Sequence, residues 1–362
     1  MRFHVAETIK LTAMAKAAGC AAKMAPGILD AVLRKLPPQS DPNVLVGFNT
    51  NDDAGIYLIG QGLALVQTVD FFTPVVDDPF TFGQIAAANS LSDIYAMGGR
   101  PVSALSIVGF PDKGDPAILE QIMRGGLSKM MEAKCSVVGG HCLRNDDIQF
   151  GYAVTGLIDP KRVWRNVGAQ TNDVLLFTKP LGTGVISTAQ KRDRASKEAE
   201  DAAIASMTRL NDVSSQALRD LESAAGAGVV HAVTDVTGFS LLGHAREMAL
   251  GDPASGISPV SFEIAHNAFT LLPGALDAVR KGMIPGGLKN NRDFIGDCVE
   301  FAPAVDEEHR AILFDPQTSG GLLAAISPQA ETLALECFRQ RGIPAARVGR
   351  VLQKSSPLIR VI

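Results

Sequence analysis

From about residue 45 the chain alternates between short apolar runs and longer stretches with helical spacing, and the alternation restarts near residue 165. A chain patterned this way folds as sheets covered by helices. Residues 63–72 read as a strand, 82–97 as a helix ended by Gly98-Gly99, and 103–110 as a second strand. Residues 116–133 predict an amphipathic helix with Leu119, Ile122, Met123, Leu127 and Met130 on one face. Residues 135–138 and 150–158 are expected as further strands. In the second half, 173–178 reads as a buried strand followed by the turn Lys179-Pro180-Leu181-Gly182. A charged helical region over 190–223, a strand over 229–234 and a helix over 239–250 follow, and 310–326 and 345–352 supply late strands. For 362 residues this predicts an α/β (α+β) protein of two domains, 46–160 and 161–362. Residues 1–45, rich in Ala, Gly, Lys and Pro, are expected as a flexible arm in which only 27–35 has helical spacing.

Composition removes several function classes. The net charge of −4 provides no positive field for a phosphodiester backbone, so nucleic acid is not an expected partner. No run of about 18 apolar residues suits a bilayer. Glu7, Lys10, Lys16 and Lys23 interrupt any signal-like apolar stretch, so a cytoplasmic protein with no membrane association is expected. Five cysteines without a CxxC pair argue against a disulfide framework and a structural zinc site. No GxxxxGK[ST] loop is present, so a P-loop nucleotide fold is not supported.

Acidic side chains carry the functional signal. Asp52 and Asp53 stand before a predicted strand, Asp70 closes the strand from Val66, Asp93 sits one helical turn after Asn89, and Asp235 ends the strand beginning near Val229. Any one such aspartate is more often a helix cap or a turn residue. Several converging would hold Mg²⁺, which needs one or two carboxylates per ion with waters and substrate phosphates completing its shell. In the arm, Cys20 lies three residues before Lys23 among small residues. An ammonium nearby favours the reactive thiolate, although a small residue in a mobile arm is the plainer reading.

Longer motifs go further. Asp70-Phe71-Phe72-Thr73-Pro74-Val75-Val76-Asp77-Asp78-Pro79-Phe80, Ala87-Ala88-Asn89-Ser90-Leu91-Ser92-Asp93, Gly139-Gly140-His141, Thr178-Lys179-Pro180-Leu181-Gly182-Thr183-Gly184, Thr234-Asp235-Val236-Thr237-Gly238 and Asp315-Pro316-Gln317-Thr318-Ser319-Gly320-Gly321 resemble the selenophosphate synthetases, over about residues 11–350. The resemblance implies the two-domain fold of the aminoimidazole-ribonucleotide-synthetase-like superfamily, with an N-terminal ATP- and metal-binding domain that forms a homodimer and a C-terminal domain that completes the ATP site. It implies conversion of ATP, selenide and water into selenophosphate, AMP and phosphate. Asp53, Asp70, Asp93 and Asp235 would then hold Mg²⁺ on the ATP phosphates, with K⁺ as a further candidate ion. Lys23 would reach the phosphates or the selenium species, Cys20 would handle selenide, and Asn89 with a Gly139-Gly140-His141 loop would line the nucleotide site.

The chain departs from the family where selenium is handled. Cys20-Ala21-Ala22-Lys23 replaces the frequent Cys-Gly-Cys-Lys, and Lys16 stands where a histidine is common. A second thiol is therefore missing, and an added positive charge should favour thiolate and attract a hydrochalcogenide anion. Two other readings remain at this point. One is a superfamily cousin making ADP, such as a thiamine-monophosphate kinase or a purine-pathway synthetase. The other is a nucleotide-binding homologue without catalysis. The Cys20/Lys23 pair and the Asp315–Gly321 segment favour selenophosphate synthesis.

Overall fold

The computed structural model describes residues 10–14, 32, 35, 41–47, 52–252 and 255–362. Among these, the first half contributes β1 (Val44–Val46), β2 (Gly55–Gly60), β3 (Leu63–Phe72), β4 (Arg100–Phe110), β5 (Ser136–Arg144) and β6 (Gln149–Ile158). They form one sheet in the order β1-β2-β3-β6-β4-β5. Every neighbouring pair is antiparallel except β4 with β5. Side chains alternate across the pleat. Ala64, Val66, Asp70 and Phe72 of β3 are buried on one face, while Val69 and Phe71 point out of the other.

Two helices cover the inner face. α1 (Pro79–Ala96) starts with proline, and the Asp78 side chain accepts a 2.8 Å hydrogen bond from the Thr81 amide. α2 (Pro116–Glu132) begins in the same way, with Asp115 accepting from the Ala117 amide at 2.9 Å. These caps satisfy amides that the first turn leaves unpaired. They also explain why α1 starts three residues before the expected 82. The two helices cross with backbones in contact. A Cβ on Gly83 would lie 1.9 Å from the Ile122 carbonyl oxygen, and one on Gly125 would lie 1.9 Å from that of Phe80. Only glycine permits this approach.

The second half forms another sheet. Its strands are β7 (Val174–Phe177), β8 (Val230–Asp235), β9 (Ser261–Ile264), β10 (Val299–Phe301), β11 (Leu322–Ile326), β12 (Ala346–Leu352) and β13 (Ile359–Val361). The order is β10-β13-β9-β12-β7-β11-β8. β7 and β11 are buried at every position. The helices that follow β7 are α3 (Thr183–Lys191), α4 (Lys197–Thr208) and α5 (Asp212–Ala225). α1 is wedged between the two sheets, contacting β3 and β6 on one side and β8, α4 and α5 on the other. That position buries 13 of its residues, Asn89, Ser90 and Ser92 included.

Three expectations need correction. Gly139-Gly140-His141 is not a loop; it continues β5, the exposed edge strand, through to Arg144. Residues 310–326 are not one strand. Asp306 caps a helix over Glu307–Leu313 by accepting from the His309 amide, an irregular Asp315–Gly321 segment follows, and β11 begins only at Leu322. Asp70 does not end its strand, which runs to Phe72. Most of the expected arm and of the 27–35 helix lies outside the described residues. Among the described residues no helix is long and apolar enough to cross a membrane.

Candidate active site

The predicted carboxylates gather where the two sheets face each other across α1. Asp53 arrives on the turn before β2, and its Oδ1 accepts a 2.8 Å hydrogen bond from the Thr234 hydroxyl of β8. Asp235, the next residue, closes β8 and is buried. Asp93 projects from α1, and its carboxylate accepts from the Thr68 hydroxyl of β3. Burial pushes the Asp53 carboxyl well above the usual carboxylate range, and the charges of Asp235, Asp52 and Asp93 push it further. Its Oδ2 is sealed from solvent and has no hydrogen-bond partner among the described residues.

Asp70 enters by a different route. Its Oδ2 accepts from the Asn89 amide nitrogen at 2.6 Å, and Asn89 Oδ1 accepts from the Ser319 backbone amide at 2.7 Å. Asn89 thus ties a strand of the first sheet to the Asp315–Gly321 segment of the second half. That segment is tightly anchored. Lys179 is buried and donates from Nζ to the carbonyls of Ser319 at 2.8 Å and Arg209 at 2.6 Å. Burial, and then the Arg209 charge, lower its pKa well below the usual lysine range. Gln317 Oε1 receives the Gly182 and Thr183 amides and the Thr183 hydroxyl at 3.1–3.2 Å, while Asp315 accepts from the Gly184 amide at 2.9 Å. A Cβ on Gly320 would meet the Val236 carbonyl oxygen at 1.9 Å, so this segment lies directly on the loop after Asp235.

The arrangement is an electron-rich, largely buried cluster built from both halves. Among the described residues no three His, Cys, Asp or Glu side chains form a ready-made metal group. The donors nevertheless fit a hard divalent cation. They are oxygens only, one carboxylate oxygen is buried without a hydrogen-bond donor, and accumulated negative charge raises a carboxyl that a cation would ionise.

Family comparisons match this layout. Residues 51–158 match the AIR synthase related protein, N-terminal domain, and residues 170–261 match its C-terminal domain. A selenide, water dikinase of Pelobacter propionicus is 47% identical, covering 98% of both chains. The selenide, water dikinase of Geobacter metallireducens is 49% identical over 95% of this chain and 97% of its own. The chain belongs to the selenide, water dikinase family.

Solved structures agree on the dikinase's fold. A thiamine monophosphate kinase from Aquifex aeolicus superposes with a TM-score of 0.61 at 17% identity, covering 92% of this chain and 96% of that one. The hydrogenase maturation protein HypE in complex with ATP gives 0.59 at 20% identity, covering 88% and 84%.

Within this dikinase the structure brings Asp53, Asp93 and Asp235 into electrostatic contact and links Asp70 to Asn89. Gly139, Gly140 and His141 are exposed on β5. Cys20 and Lys23, together with Lys16, lie outside the described residues. The sequence reading missed the hydroxyls of Thr68 and Thr234, the buried Lys179 and the anchoring Gln317. Thr68 could have been found, because it precedes Asp70 by two and so shares its strand face. Thr234 and Asp53 are 181 positions apart, and no local pattern joins them.

Proposed function

We propose that the protein catalyses ATP-dependent synthesis of selenophosphate from selenide and water, releasing AMP and phosphate. The observation that carries this reading is near-half identity to selenide, water dikinases over practically the whole chain. The carboxylate cluster across α1 is the matching chemistry. Two phosphoryl groups leave the nucleotide, one ending on selenium and the other on water. Such transfers depend mostly on positioning and charge neutralisation.

In this reading Asp53, Asp70, Asp93 and Asp235 hold Mg²⁺ against the ATP phosphates, with K⁺ as an additional ion. Bound Mg²⁺ would neutralise the charge that builds on the transferring phosphoryl oxygens. Thr234 and Thr68 orient the carboxylates of Asp53 and Asp93 by donating to one oxygen each. Asn89 fixes Asp70 and, with Gly139, Gly140 and His141, belongs to the nucleotide-lining set. Lys23 reaches the phosphates or the selenium species, and Cys20 handles selenide. Residues 46–160 form the ATP- and metal-binding half, and 161–362 complete the ATP site.

The outer face of the first sheet supports a homodimer formed through it. Val69, Phe71, Leu105, Val138 and Leu143 are 44–66% exposed there and on the adjacent edge strand, an apolar array suited to a second copy. We place the enzyme in the cytoplasm, where ATP is supplied. The test is phosphorus NMR with ATP, Mg²⁺ and selenide under anaerobic, reducing conditions. A selenophosphate signal with AMP and phosphate is expected. ADP without a phosphorus–selenium species would overturn the reading in favour of an ADP-forming cousin.

A further inference from the structure

The segment that joins the two sheets, between β6 and β7, does more than connect them. Arg165 lies in it with its side chain 21% exposed. Its Nε donates to Asp52 Oδ2 at 3.3 Å, and its Nη2 donates to Asp252 Oδ2 at 3.1 Å. Asp52 is nearly sealed from solvent, and its other oxygen receives the amides of Asn166 at 3.0 Å and Asp53 at 3.1 Å. The Arg165 carbonyl in turn accepts from the Val233 amide at 2.9 Å. Val233 precedes Thr234, whose hydroxyl holds Asp53.

These bonds close a circuit. It runs from Arg165 to Asp52, along one peptide to Asp53, across to Thr234, back one residue to Val233 and home to the Arg165 carbonyl. Asp53 is held on both sides of its Cα, by the Asp52 turn and by the Thr234 hydroxyl. The same circuit fixes how far the Asp53 turn stands from β8, the strand that carries Asp235. Electrostatics gives Arg165 a second task. Asp235, Asp52 and Asp93 each repel Asp53, and Arg165 is the cation hydrogen-bonded to Asp52 within the circuit. Neutralising Asp52 leaves the remaining negative charge on the carboxylates that face the nucleotide.

We propose that Arg165 is a positioning residue for the reaction, presenting Asp53 to the metal–nucleotide complex through Asp52. The inference rests on the reading of Asp53 as a metal ligand. Removing a partner that orients a ligand typically weakens metal binding by about 10-fold to 100-fold.

The test measures binding of Mn²⁺ with a non-hydrolysable ATP analogue to the full chain, by electron paramagnetic resonance of free Mn²⁺, alongside the melting temperature without metal. Arg165→Met is expected to weaken Mn²⁺-dependent binding by about 10-fold or more, and Arg165→Lys, which keeps the charge and loses the fork, by less. Asp52→Asn combined with Arg165→Met should bind no worse than the weaker single variant, because both act on one circuit. Wild-type affinity in Arg165→Met, or in Arg165→Lys should Arg165→Met fail to fold, overturns the inference, and so do independent, additive losses in the double variant. Asp53→Asn separates the two levels. If it binds as well as wild type, the reading of Asp53 falls and the role of Arg165 falls with it. If only Asp53→Asn loses binding, Arg165 alone is wrongly assigned.

Discussion

The two sheets are finished differently. The second buries its centre, with β7 and β11 buried along their whole lengths, while β10, β12 and β13 toward one edge keep positions in solvent. The first is half-finished. α1 and α2 seal one side, while the other shows Val69 at 57% and Leu105 at 48% exposure. An apolar sheet face left in water is a face open to association, whereas strands buried on both faces, as β7 and β11 are, serve the stability of the fold. The contrast separates association from folding within one chain. It also bears on the site, because each half supplies carboxylates to it.

The sharpest way to break the contrast is to ask whether the halves contribute equally to catalysis. Asp53→Asn in the first half and Asp235→Asn in the second should each lower AMP formation by about 100-fold or more, since both are proposed metal oxygens. A small effect in one of them, measured by steady-state turnover across a Mg²⁺ titration, would confine the site to a single half. Next comes stability. Leu175→Ala in β7 deletes a fully buried side chain and should cost about 2–5 kcal/mol by denaturant unfolding. Phe71→Glu on the open face should instead shift the sedimenting species from dimer to monomer, with each subunit's stability changed by about 1 kcal/mol or less. A Phe71→Glu protein that sediments as a dimer would show that the open face is covered by something else.

The pH response sharpens the comparison further. Burial pushes the Asp315 carboxyl, deep in the second half, up to about 7, partly offset by the amides of Val185 and Gly184. A carboxyl raised on folding stabilises while it is protonated. Its contribution is therefore present below the ordinary carboxylate range and lost as pH rises through about 7. Melting temperatures measured without metal should fall over that interval, and Asp315→Asn should flatten the fall. The smallest effect belongs to the first half. Asp78→Ala removes the cap of α1 and should cost about 1 kcal/mol in thermal unfolding.

Much of this fold could be read in advance because its longest elements announce themselves. The 63–72 run forms one unbroken strand, and the 116–133 helix starts at its proline, although it buries Ile118, Ile122, Gly125, Gly126 and Met130 and leaves the expected Met123 and Leu127 exposed. Misreadings fell where residue type and environment pull apart. Gly139 and Gly140 look like loop residues, yet a Cβ on Gly140 would meet the Ser106 hydroxyl at 2.1 Å, so the edge strand needs glycine to lie against β4. Apolar Ala311, Ile312 and Leu313 suggested a strand, yet the Asp306 cap winds them into a helix. At the site, the aspartates were visible as residue types in recognisable surroundings. Their hydrogen-bond donors were not, since Thr234, Ser319 and Arg165 reach Asp53, Asn89 and Asp52 from 181, 230 and 113 positions away. Such pairs exist only once both halves have folded.

The wedged position of α1 has a consequence for synthesis on the ribosome. A nascent chain released up to β6 already owns Asp53, Asp70 and Asp93, but lacks Thr234, Asp235 and the Ser319 amide that steadies Asn89. The centre becomes complete only when the last third of the polypeptide has emerged and docked against that helix.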